Sequence, residues 1–159
     1  VGYSYRLTEM EAALGLEQLK NIQKIIKKRQ FNAKYLTEGL LEFSDLIQLP
    51  TIPKDRNHVF LGFPIVIKDG KISRDKLIMF LENNGIETRY MMPLLNQPIY
   101  KEIFGKDIED YYPVAKNINN NGFYIGCFPE LKREDLDYII SVFERAFKTR
   151  RRRKVNFSS

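Results

Sequence analysis

Gly2-Tyr3-Ser4-Tyr5-Arg6-Leu7-Thr8-Glu9-Met10-Glu11-Ala12-Ala13-Leu14-Gly15 joins an aromatic, basic loop to the start of a helix. Thr8 is set to accept from the backbone amide three residues on, while Glu11 reaches back to the Thr8 amide, the reciprocal arrangement of a capping box. Ala12, Ala13 and Gly15 strip side-chain bulk from the first turns, so another backbone or a partner subunit can approach closely. The loop ahead of the cap offers a hydroxyl, two phenols and a guanidinium to whatever lies beyond it.

Outward from this stretch, no proline intervenes between Glu9 and about Phe43, and apolar residues recur at helical spacing. Leu16, Leu19, Ile22, Ile26, Ala33, Leu36 and Leu40 make one stripe, with Lys20, Lys24, Lys27 and Lys28 mostly outside it. A helix of that length exceeds the usual globular run. It therefore lies along a larger partner or breaks once, with Gly39 as the weakest point.

Leu46 to Leu49 reads as a short strand stopped by Pro50 and Pro53. Val59 to Ile67 reads as a longer one, with Val59, Leu61, Phe63, Ile65 and Ile67 on one face. Pro64 cannot donate to a ladder, which puts that strand at an edge or gives it a bulge. Asp69-Gly70 makes a turn, and Ser73 caps a helix to about Asn83 whose buried face is Leu77, Ile78 and Leu81. Gly85 ends it in a left-handed cap. Ile86 to Met91 is a strand, Pro93 to Pro98 a loop, Ile99 to Phe104 a helical turn, and Pro113 opens a helix ending near Asn119 to Gly122. Phe123 to Cys127 is a strand, and Glu134 to Lys148 a final helix with Leu136, Ile139, Ile140, Phe143 and Phe147 inward. The expected class is α+β (mixed α/β): a small mixed sheet of three to four strands packed by helices on one face, with a long N-terminal helix.

The 159 residues fit one domain, with 1–148 as its body, and 43% hydrophobic residues suffice for a core. The net charge of +6 is uneven. Lys148 and Arg150 to Lys154 place six cations in seven positions; without them the 26 basic residues fall to 20, matching the 20 acidic ones. The body is formally neutral and the basicity belongs to a tail, 149–159, read either as a solvated, disordered end or as an anchor for anions. Nothing in the body interleaves aromatics with cations as a single-strand groove does, so nucleic acid is not an expected partner. No apolar run approaches the roughly 20 residues that span a bilayer. Cys127 is the single cysteine, which excludes an intrachain disulfide and a cysteine metal cluster and fits a reducing, cytoplasmic setting. Val1 in place of methionine, without a signal-peptide pattern, suggests a fragment or a processed product.

From residue types alone the chemistry ends at a polar loop on a mixed domain: one histidine, no glycine-rich phosphate loop and no carboxylate-histidine metal spacing. The ordered blocks carry more. Gly2 to Gly15 with Gln18-Leu19, His58-Val59-Phe60, Gly85-Ile86-Glu87-Thr88-Arg89, Pro93 to Tyr100, Tyr112-Pro113-Val114-Ala115 and Gly122 to Cys127 together resemble the small C-terminal domain of the DegT/DnrJ/EryC1/StrS aminotransferases. The resemblance runs to about Phe147. It implies a fold-type I, pyridoxal-phosphate enzyme that moves an amino group, usually from glutamate, onto a keto-deoxysugar carried on a nucleotide. It implies, too, that the cofactor lysine and the acid facing the pyridine nitrogen belong to a large N-terminal domain outside this chain. The isolated chain is accordingly expected to be inactive, and its partners to be that domain, a second subunit and the nucleotide sugar. The Glu-Thr-Arg and Asn-Gln-Pro blocks lean towards 4-keto sugar relatives such as perosamine synthases.

Carried over residue by residue, the resemblance implies that Ser4 contacts the cofactor phosphate of the neighbouring subunit, where relatives often carry asparagine. Its alternative is a turn residue bonding its own backbone. Arg6 serves the same phosphate or the sugar diphosphate, or pairs with Glu9 or Glu11. His58 opens a block in which relatives often show two histidines three apart; Leu61 holds the second place here, and His58 is either a substrate contact or a structural residue. Arg89 grips substrate phosphate or hydroxyl, or ties down the loop at Pro93. Tyr90 is a third substrate candidate, although strand alternation sets it on the face opposite Arg89. Asn96 and Gln97 stand where relatives often have histidine-containing loops. Two other classes compete: a stand-alone dimerisation or interaction module built on the long helix, and a polyanion binder acting through the tail.

Overall fold

The computed structural model of the chain describes residues 7–68, 70, 72–91, 95, 97–105 and 108–155, with side chains as far as Lys148. Helix α1 (Glu9–Lys20) begins with the capping box that its sequence encodes. The Thr8 amide donates to Glu11 Oε2 at 2.8 Å and the Glu11 amide donates to Thr8 Oγ1 at 3.3 Å. The Thr8 amide, and after it the Thr8 hydroxyl that also donates to Glu11 Oε2 at 2.8 Å, hold the Glu11 carboxyl below its ordinary pKa.

The helical run breaks once, at Asn21 and not at Gly39, giving α2 (Ile22–Leu40). Asn21 turns its amide to Gln18 O at 3.1 Å and its side chain to Glu17 O at 3.4 Å, the local competition that makes asparagine a terminator. The predicted stripe divides at the same place. Ala33, Leu36 and Leu40 are buried, whereas Leu16, Leu19 and Ile22 are exposed and α1 buries none of its residues.

Strands β1 (Ile47–Gln48), β2 (Gly62–Ile67), β3 (Thr88–Tyr90) and β4 (Gly122–Gly126) form one wholly antiparallel sheet in the order β1-β2-β4-β3. The class is thus α+β, as the sequence predicts. Helix α3 (Arg74–Asn83) carries the chain from β2 to β3, and β4 slips between those two strands. Ser73 caps α3 by accepting from the Lys76 amide, and Gly85 follows it with φ 75°. β1 covers only Val66 and Ile67, so the part of β2 that holds Pro64 is an edge on that side.

The strand predicted from Val59 starts late because Phe60 is left-handed, with φ 59°. That turn breaks the alternation: Phe60 is buried, while Val59 and Leu61 are exposed. Such a backbone on a bulky residue costs of order 1–3 kcal/mol and needs support from its surroundings.

Phe63, Ile65, Ile67, Phe123 and Ile125 line the inward sheet face and pack against Ala33, Leu36 and Leu40, against Leu77, Ile78 and Leu81, and against α6 (Arg133–Val155). From α6 come Leu136, Ile139, Phe143 and Phe147, with Val142 buried as well and Ile140 only partly so. Phe43 closes the core against Phe147 at a ring separation of 5.0 Å. Helices α4 (Pro98–Phe104) and α5 (Pro113–Asn121) precede β4. The backbone of α6 stays helical beyond Lys148 to Val155. The Asp69-Gly70 turn and the Pro93 to Pro98 loop fall largely outside the described residues.

Candidate functional site

One side of α2 organises the candidate site. Arg29 falls between Ile26 and Ala33 on the otherwise apolar stripe, and its Nη1 donates to the carbonyls of Phe60 (3.1 Å), Leu61 (3.0 Å) and Cys127 (3.1 Å). Gln30 donates to His58 O at 3.1 Å and buried Asn32 to Phe128 O at 2.7 Å. Three residues within four positions of one helix thus fasten the turn before β2 to the end of β4. Sequence reading passed over them; the signal present was a cation and an amide set into a buried stripe, where each needs a partner.

His58 belongs to this turn. Its Nδ1 accepts from the Phe60 amide at 2.9 Å, and its ring stands 4.4 Å from the Phe60 ring. Accepting at Nδ1 puts the proton of the neutral imidazole on Nε2, which can donate to a hydroxyl or phosphate oxygen. A cleft of about 550 Å³ opens beside it, lined by Gln30, Lys34, Glu38, Pro50, Ile52 and His58 among others. A second cleft of about 320 Å³ shares His58 and Phe60 and reaches Pro64.

Arg89 and Tyr90 part company, as alternation predicts. Arg89 pairs with Tyr124 across the ladder, on the outward face, and bonds Glu87 Oε1 at 2.5 Å. Tyr90 pairs with Phe123 on the core side, where its ring lies 4.5 Å beneath the Arg74 guanidinium. His58, Arg89 and Tyr90 therefore do not form one cluster: the first faces α2 and the other two occupy opposite sides of β3. Leu61, at the second histidine place, is 83% exposed. Ser4, Arg6 and Asn96 lie outside the described residues.

Cys127 sits behind the Arg29 clamp, its thiol donating to Arg29 O at 3.4 Å. Burial pushes that thiol up to about 11, with the Arg29 guanidinium pulling the other way. A consequence for pH follows from linkage. Below the ordinary thiol pKa of about 8.5 both states keep the proton; between there and 11 only the unfolded chain releases it, so stability falls as pH rises. Cys127→Ala should flatten this decline in urea midpoints measured from pH 8 upward, and parallel curves for the two proteins would refute the assignment.

Among the described residues no group of three histidine, cysteine, aspartate or glutamate side chains is placed to hold a metal, and no helix is long and apolar enough to cross a membrane. Lys34 lines the larger cleft by His58; it stands 3.8 Å from Glu38 with both side chains open to water.

The profile of the DegT/DnrJ/EryC1/StrS aminotransferase family matches residues 1–144. The chain is 32% identical over 150 residues to the lipopolysaccharide biosynthesis protein RfbH of Salmonella typhimurium, covering 92% of this chain and 34% of that protein. It is 29% identical over 153 residues to the GDP-perosamine synthase of Vibrio cholerae, covering 92% and 39%. Its fold superposes on an E. coli GDP-4-keto-6-deoxy-D-mannose-3-dehydratase with bound hydrated pyridoxal phosphate at a TM-score of 0.69 and 26% identity, covering 89% of this chain and 36% of the other. The chain spans little more than a third of the length of these proteins.

Proposed function

The chain belongs to the DegT/DnrJ/EryC1/StrS aminotransferase family, whose enzymes work with pyridoxal phosphate, and on that premise we propose that it is the small C-terminal domain of an enzyme aminating a nucleotide-linked keto-deoxysugar. The observation that carries this reading is α1. Met10, Leu14, Leu16 and Leu19 on this helix, and Leu7 just ahead of its Thr8 cap, are each more than 60% exposed. Large apolar side chains bared together on one short helix mark a surface that is covered in its working assembly. We assign its cover to the large cofactor-binding domain and the second subunit of a homodimer.

In this reading Ser4 and Arg6, just ahead of the Thr8 cap, serve the cofactor phosphate of the neighbouring subunit. His58 offers Nε2–H, and Arg89 its outward guanidinium, to the sugar nucleotide; Tyr90 supports Arg74 from the other face of β3. When bound, pyridoxal phosphate supplies the electron sink for moving the amino group. The residues of this chain bind and orient, and the covalent lysine comes from the large domain.

The test uses the chain alone and then in company. Incubated with pyridoxal phosphate and borohydride, the isolated chain should show no stoichiometric adduct at any single lysine. Supplied with a separately produced large domain, it should restore glutamate-dependent formation of an amino-sugar nucleotide, and Leu14→Lys with Leu19→Lys should abolish that rescue while leaving its own melting midpoint unchanged. A site-specific adduct with turnover by the chain alone would overturn the proposal. So would loss of the sugar hydroxyl without amine transfer, which would move the chain to the dehydratase side of the family.

A further inference from the structure

We propose that the cleft between the approach to β3, the end of β4 and the first two turns of α6 takes an arginine side chain presented by a partner polypeptide. This cleft of about 280 Å³ shares no lining residue with the two beside His58. Small-molecule sites run from roughly 300 to 1,000 Å³, so its size suits one side chain and not a sugar nucleotide. Its floor is apolar: Ile86, Ile125 and Ile139 line it and are buried. Phe128 and Tyr138 stand at its sides, both about half exposed. The Tyr138 hydroxyl donates to Asn84 O at 3.0 Å, and the Phe128 carbonyl accepts from the Asn32 side chain at 2.7 Å. Both walls are thus held in place before anything enters, which lowers the cost of binding.

Charge selects the occupant. Among the described residues that line the cleft, the charged ones are Glu87 and Asp135, and none is a cation. Glu87 is bonded to Arg89, so Asp135 carries the charge left for a ligand. Asp135 Oδ2 accepts from the Lys132 amide at 2.8 Å, which fixes the carboxylate and leaves Oδ1 for an external donor. A cation on an apolar stem matches this set, with its methylenes on the isoleucine floor and its charge against ring faces and carboxylate. The chain makes the same combination twice with its own arginines. Arg74 lies 4.5 Å from the centre of the Tyr90 ring with its Nε 3.0 Å from Asp75. Arg133 lies 5.5 Å from the Tyr35 ring, whose hydroxyl bonds Asp137. In the cleft the rings and the carboxylate are present, and the arginine comes from outside. Arginine is favoured over lysine because its planar group stacks on a ring while still donating to a carboxylate.

Proton–nitrogen NMR of the intact chain, titrated with acetyl-glycyl-arginyl-glycinamide, provides the test. The amides of Gly85, Glu87 and Gly126 should shift together and saturate in the millimolar range expected of one anchoring side chain. The citrulline peptide, alike in shape but neutral, should bind at least about tenfold more weakly, and the lysine peptide about threefold more weakly. Asp135→Asn should weaken the arginine peptide about tenfold, and Phe128→Leu by about three- to tenfold. Asp135 also serves the Lys132 amide at the start of α6; should its variant melt lower, Phe128→Leu, which changes a half-exposed ring, decides the matter. The absence of a saturable shift overturns the proposal, as does equal binding of the citrulline or lysine peptide, or undiminished affinity in both variants. So does a dimer of the parent chain that Asp135→Asn alone dissociates, which would seat an arginine of a second copy in the cleft.

Discussion

Replacing Arg29 by alanine is expected to lower the unfolding free energy by about 3 kcal/mol, or the melting midpoint by roughly 6–12 °C in a chain of this size. The guanidinium has three carbonyl partners on two loops, and two of them, Phe60 O and Cys127 O, are partly buried. Alanine leaves those oxygens without a donor where water cannot fully replace it, and desolvated, unpaired groups cost more than the net worth of the bonds lost. It also unties Phe60, whose left-handed backbone is then held only by the His58 Nδ1 contact and the buried ring. Lysine should recover less than half of the loss, because Nη1, which makes all three contacts, lies one bond further along the side chain than a lysine ammonium. The thiol of Cys127, 1% exposed behind the clamp, should react faster with a disulfide reagent in the alanine variant. A stability change under about 1 kcal/mol would show that the carbonyls find other partners.

Local chemistry accounts for how much of this fold the sequence disclosed. The Thr8 box, the Ser73 cap, the turn at Gly85 and the inward residues of α3 each depend on neighbours within four positions, and each stands where the residues predict. Strand alternation likewise separated Arg89 from Tyr90 without any coordinates. The misses depend on distant partners. Val59 to Ile67 has the alternation of a strand throughout, yet Arg29, 31 positions before Phe60, helps to hold the turn that delays the strand to Gly62. Arg29 drew no reading from sequence, because nothing local says that three carbonyls await it. Leu16, Leu19 and Ile22 continue the stripe of Leu36 and Leu40 in sequence but not in burial, since pattern reports what a helix can bury and not whether its cover is present. That same gap is what makes α1 informative about a partner.

Gly39→Leu is expected to cost about 3 kcal/mol, although on helix propensity alone a non-proline replacement for this glycine, the penultimate residue of α2, should stabilise. The propensity view made Gly39 the weak point of the long helix; packing sets it directly against Ile140 of α6. A Cβ there would meet Ile140 Cδ1 and stand 2.8 Å from its Cγ1, and a leucine extends further into the same space. Alanine poses a smaller demand, met by a rotation of the flexible end of Ile140, so its gain of up to about 1 kcal/mol in propensity and its crowding should nearly cancel. The decisive measurement is a double-mutant cycle. Ile140 is only partly buried, and truncating it alone should cost about 1–2 kcal/mol, but Gly39→Leu with Ile140→Ala should be more stable than the sum of the two single changes by at least 1 kcal/mol or so. Additive losses would mean that leucine at 39 clashes with something other than Ile140, and the close helix approach would lose its explanation.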